Sequence, residues 1–233
     1  MKTGFLYGYP NKPVKEYYSY HGMTRECLIQ PDPGTFEEFD NEPPYGPEQS
    51  IKIKTKLNYS LFRTRTTYLS VWNATTAYST TGDIGQNIQQ IHNYYNIKRH
   101  FCSFDTSVLM PLWKITRAYV WLQYLGQNGD GGGDLVLQSG AGDYPKYPSS
   151  TSNYNRLWYS GNCGSIHIGG GVQIKIWLNA GGLGQINVFG RTKFALRTSD
   201  DIAGNNRDGL NYIYVNIYPS KQYLMVYYRR PLT

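Results

Sequence analysis

Residues 51–57 read IKIKTKL, and this stretch decides the fold class. Ile51, Ile53 and Leu57 alternate with Lys52, Lys54 and Lys56, which makes one side apolar and the other basic. A period of two is that of a half-buried β-strand. Lysines along one side are also the device that keeps an edge strand from pairing with a stranger. A strand that tracks nucleic acid would look similar, but it needs aromatic or glycine-rich partners on the same face, and this stretch supplies none. Nucleic acid is therefore not the expected partner.

Toward the C-terminus, further strand segments recur at 67–72, 97–104, 118–124, 135–138, 173–177, 193–197, 212–218 and 223–228, a spacing that suits a sandwich. Turns rich in Gly, Asn, Ser and Asp separate them, at 126–133, 140–152, 161–171 and 203–209. One helical turn is expected, at 179–189, with Leu183, Ile186 and Val188 weakly periodic and Phe189 joining an apolar plug at one end of the sandwich. Glutamate supports the same class: Glu16, Glu26, Glu37, Glu38, Glu42 and Glu48 are the six in the chain, and none follows residue 48. A good former of exposed helix is thus missing from the long C-terminal part. With 23 tyrosines, 25 glycines and only 17% charged residues, the composition is one of strands and tight turns.

Toward the N-terminus the pattern stops. Residues 1–50 hold seven prolines and half of the acidic residues, with little periodicity. We read them as an arm whose tyrosines, Tyr7, Tyr9, Tyr17, Tyr18 and Tyr20, carry contact area for a neighbouring surface. The expected organisation is an arm at 1–50 and a β-sandwich domain at 51–233.

Two later stretches carry a resemblance. IKRHFCSFDTSVLMPLWKITRAYVWLQ at 97–123 resembles the arginine/FDTS strand, hydrophobic turn and following strand of DNRLRE-like jelly-roll domains. IWLNAGGLGQINVFGRTKFALRTSDDI at 176–202, NYIYVNIY at 211–218 and YLMVYY at 223–228 are similar to the closing portion of such domains. The resemblance implies an all-β, jelly-roll-like antiparallel β-sandwich. It also implies a non-enzymatic surface module of the kind found in virion turrets and spikes and among carbohydrate-binding domains. The opening MKTGFLYGYP lacks the apolar run of a signal peptide, and no stretch is apolar and long enough to span a membrane as a helix. The expectation is therefore a virion component made in the host cytoplasm, partnered by other capsid or surface proteins and by copies of itself, with a host glycan as alternative ligand.

The residues offer little catalytic chemistry. His21, His92, His100 and His167 form no metal-binding spacing, and no Ser sits in a nucleophile-elbow setting. Cys27, Cys102 and Cys163 are too few and too scattered for a disulfide framework, though one bridge is compatible with them. Asp130 and Asp134, in GQNGDGGGDLV, could supply oxygens to a calcium ion; no other cofactor is expected. Arg197, followed by Asp200 and Asp201, can pair internally and pin its corner. Tyr144, Tyr147, Tyr154, Trp158 and Tyr159 form the expected contact loop, open to a glycan, a protein partner or the chain's own N-terminal arm. The net charge of +7, concentrated after residue 66, serves solubility and leaves acidic partners open.

Overall fold

A computed structural model describes residues 44–80, 83–89, 94–128, 133–167, 173–206, 213–217 and 221–232. Among these described residues eleven strands run in the order β1 (Gln49–Arg65), β2 (Tyr78–Thr80), β3 (Asp83–Gln89), β4 (Tyr94–Asp105), β5 (Lys114–Asn128), β6 (Asp134–Gly140), β7 (Tyr159–His167), β8 (Gln173–Trp177), β9 (Arg191–Thr198), β10 (Ile213–Ile217) and β11 (Tyr223–Arg229). Among the described residues three short α-helices interrupt them: α1 (Tyr68–Trp72), α2 (Ala180–Leu183) and α3 (Ser199–Ala203). The tyrosines of the arm, Cys27 and Asp130 lie outside the described residues.

The strands form an all-β, jelly-roll-like antiparallel sandwich. Its front sheet has the order β1–β11–β5–β8, using residues 49–54 of β1. The long β1 then bulges between Thr55 and Leu57 and enters the rear sheet, whose order is β2–β1–β4–β9–β6–β7. β3 pairs with β4, and β10 lies between β3 and β5, so the two sheets are joined along one side as in a nearly closed barrel. Upstream of β1, the Gly46 amide donates to the Arg230 carbonyl at 2.8 Å and the Leu232 amide to the Pro44 carbonyl at 2.7 Å, extending the β1–β11 pairing.

The alternation read at 51–54 is met: Ile53 is core, Ile51 packs against it, and Lys52 and Lys54 are exposed. Between the sheets lie Val120, Leu122, Ile174, Ile176, Leu224 and Val226 from the front and Phe104, Leu135, Leu137, Phe194 and Leu196 from the rear. A second core lies on the other side of the rear sheet, where Tyr59, Leu61, Ile97, Phe101 and Ala195 meet Tyr68 and Val71 of α1 with Tyr154 and Tyr159. The rear sheet is therefore covered on both faces, by the front sheet and by a layer built from α1 and residues 141–158.

Three local expectations are corrected. Residues 67–72, read as a strand, form α1: the Thr67 side chain caps it by accepting from the Ser70 amide, and Tyr68 and Val71, three apart, share its buried side. Residues 161–167, read as a turn, belong to β7. Its glycine at 164 has φ of 147°, and a Cβ there would lie 2.2 Å from the Trp177 carbonyl oxygen, so glycine marks close backbone approach rather than a turn. Within the stretch expected to be helical, only α2 forms; Ile186 is buried, but Phe189 is 81% exposed and takes no part in a plug.

Candidate functional site

The expected contact loop divides in two. Tyr154 and Tyr159 are buried, which corrects their reading as contact residues: they belong to the second core, under the covering layer. Tyr159 packs on Phe101 at 5.6 Å between ring centroids, and the Tyr154 hydroxyl donates to the Ile97 carbonyl at 3.1 Å. Tyr144 and Trp158 stack on each other at 4.5 Å, half-buried against the same core. Tyr147 is 43% exposed beneath the Arg191 guanidinium at 3.9 Å and is the outward-facing member. The loop is mainly a lid on the rear sheet, because aromatic area at this density is more stable buried than solvated.

Beneath the lid lies a charged cluster that the sequence named in part. Arg197 Nε donates to Asp201 Oδ2 at 2.7 Å, as its spacing suggested. Arg99 of β4 joins it, Nε to Oδ2 at 2.7 Å and a terminal nitrogen to Oδ1 at 2.6 Å, while its plane lies 4.3 Å from the centre of the Tyr154 ring. Gln138 and the backbone carbonyls of Trp72, Tyr154 and Asp201 accept four further hydrogen bonds from the two guanidiniums. Burial by itself would raise the Asp201 carboxyl, but Arg99 and Arg197 outweigh it and hold the group well below the usual carboxylate range. This is a structural pin, closed off from solvent.

Ser60, His100 and Gln222 are also in line between the sheets, with Ser60 Oγ 2.9 Å from His100 Nδ1 and Gln222 Oε1 3.1 Å from His100 Nε2. All three are buried, so the row bridges strands and has no access to a substrate. Asp134 meets His167 Nδ1 at 2.9 Å on the surface. Among the described residues, no three of His, Cys, Asp or Glu gather as metal ligands. Cys102 and Cys163 are buried free thiols.

The outer face of the front sheet is different in kind. Ser50, Lys52 and Lys54 of β1 stand opposite Tyr227, Met225 and Tyr223 of β11; these stand opposite Arg117, Tyr119 and Trp121 of β5; Trp177 and Lys175 of β8 complete the rows. Trp121 and Tyr223 stack at 5.0 Å, and Tyr119 meets Trp177 edge-on at 4.8 Å. Lys52 lies 4.1 Å above the Tyr223 ring, Arg117 4.2 Å from that of Tyr227 and Lys175 5.5 Å from that of Tyr119. Burial and its hydrogen bond with Tyr223 hold the Tyr119 phenol above its ordinary value. Trp177 is 45% exposed at one margin. Glu48 is the carboxylate at the rim, bonded to Arg117 at 2.7 Å and to Thr116 at 2.6 Å.

Sequence reasoning passed over this face, although its signal was present. In 118–122, 174–177 and 223–227, aromatic and basic residues alternate with Val, Leu and Ile, so each strand carries one apolar side and one ring-and-cation side. Knowing that these strands are neighbours required the fold. The aromatic partners missing from 51–57 thus stand on the face of Lys52 and Lys54, contributed by strands far along the chain. No protein-family model matches the chain, and no curated protein matches it.

Proposed function

We propose that the chain is a non-catalytic structural component of a particle exterior, of the virion turret, vertex or spike kind, that joins its neighbours through the outer face of the front sheet. The observation that carries this reading is the unequal treatment of the two sheets. The rear sheet is covered by the chain's own α1 and 141–158 layer, whereas the front sheet keeps a ring-and-cation face outward. Tyrosine, tryptophan and arginine are the residues that dominate the energetics of protein contacts, because they bury large area with few rotatable bonds. Strand pairing holds the face rigid, which lowers the entropic cost of docking. The virion setting rests on the resemblance carried by residues 97–123 and 176–228, and repeated self-contact is the assembly mode it implies.

The test is light scattering on the full chain and on Trp177→Ser and Tyr227→Ser. Association of the native chain, lost in the variants with melting temperature kept, supports the proposal. Association that both variants retain removes the face from it. The second reading, a carbohydrate-binding module, is favoured by the half-exposed Trp177 indole, since sugars stack on such rings. Saturable binding to a glycan panel, abolished by Trp177→Ala, would select it.

A further inference from the structure

The open margin of the front sheet has a chemistry of its own. Residues 49–54 of β1 pair with β11 on one side, and among the described strands none pairs with their other side. Such a margin offers backbone donors and acceptors to an incoming strand. Lys52 and Lys54 project from it onto the outer face, beside Tyr223 and Met225. Lysines at an edge repel a neutral or basic strand, which would desolvate their ammonium groups without a partner. An acidic strand meets the opposite situation, because its alternate carboxylates come to lie over those ammoniums.

We propose that the β1 margin binds an extended acidic segment of a neighbouring protein chain as an added strand, with Lys52 and Lys54 selecting its carboxylates. The proposal rests on the reading of this face as a contact surface and names the occupant. Two observations favour a peptide. Lys52, Arg117 and Lys175 set positive charge across the face, so a face-to-face pair of copies would set like charges together, and self-contact through this face brings a different, acidic part of the neighbouring copy to it. The Tyr223 ring already carries Lys52 at 4.1 Å and the stacked Trp121 at 5.0 Å, neighbours with which a nucleic-acid base would compete for its plane.

The experiment titrates the full chain with a ten-residue peptide of alternating Glu and Val, following tryptophan fluorescence and hydrogen exchange of the 49–54 amides. Controls are the Lys/Val counterpart, the Glu peptide N-methylated at alternate residues, and oligo-dT. The expected result is saturable binding of the Glu peptide with slowed exchange at 49–54, weakened at least tenfold by N-methylation. The double variant Lys52→Glu/Lys54→Glu should lose the Glu peptide and take up the Lys peptide. Equal binding of the N-methylated peptide, failure of the Glu peptide to bind, or binding of oligo-dT alone overturns the proposal. Should the peptide fail while Trp177→Ser still disperses the assembly, strand addition falls and the contact face stands; if both fail, the face reading falls as well.

Discussion

Arg99 and Asp201, 102 positions apart, form a two-point ion pair that is wholly buried beneath Tyr154, with Arg197 on the same carboxylate. One carboxylate thereby ties β4, β9 and α3 to the covering layer. Its removal would strand two guanidiniums away from water. Asp201→Ala is expected to cost about 3–5 kcal/mol, read from the shift in urea midpoint. Arg99→Lys should recover little of the native stability, since an ammonium cannot span both oxygens.

The same cluster sets a pH dependence. The Asp201 carboxyl is held below its ordinary value in the folded chain, so the unfolded chain takes up that proton more readily. Its contribution is fully present above about pH 4, where free carboxyls are ionised, and is lost as the pH falls toward the folded value. Urea midpoints measured across acid pH should decline in the native chain. They should decline less steeply in Asp201→Asn, which starts lower at neutral pH.

Tyr154 and Trp177 should behave oppositely although both are large aromatics. Tyr154→Ala empties a buried site and is expected to cost about 3–5 kcal/mol. Trp177→Ser, at the margin of the exposed face, should cost no more than about 1.5 kcal/mol. Chemical denaturation of the two variants side by side checks the contrast, and only Trp177→Ser should alter association at unchanged fold.

Gly164 is a site of contact rather than of freedom alone. A methyl group there meets the Trp177 carbonyl oxygen at 2.2 Å, with φ of 147°. Gly164→Ala is expected to destabilise by about 3 kcal/mol or more, from overpacking together with backbone strain. Gly142, with φ of 57° and open space around its added Cβ, should cost only about 1 kcal/mol as Gly142→Ala. Thermal melts of both variants separate steric from conformational cost.

Burial pushes the Cys102 thiol up to about 12 and also raises that of Cys163. Both should react slowly with a thiol reagent at pH 8 in the native chain and rapidly in denaturant, because the thiolate is the reactive form. Fast native labelling of Cys102→Ser, compared with Cys102→Ser/Cys163→Ser, would contradict the burial of Cys163.

The sequence by itself determined the all-β class, the basic side of residues 51–54 and the pairing of Arg197 with an aspartate close by, because each depends on local period or short spacing. It misjudged 67–72, where a short apolar run fits strand and helix alike until its cap and buried side are known, and 161–167, where glycine was needed for backbone approach. Only the tertiary structure decided which aromatics are core and which form a surface. Tyr154 stands in a polar loop and Trp177 at the end of an alternating strand, settings that do not tell burial: the first lies under the layer that covers the rear sheet, and the second, 45% exposed, on the outer face of the front sheet. Arg99 and the outer rows of β1, β11, β5 and β8 were hidden for the same reason: their partners lie from tens to more than a hundred residues away, and strand order, which brings them together, is a property of the whole sheet.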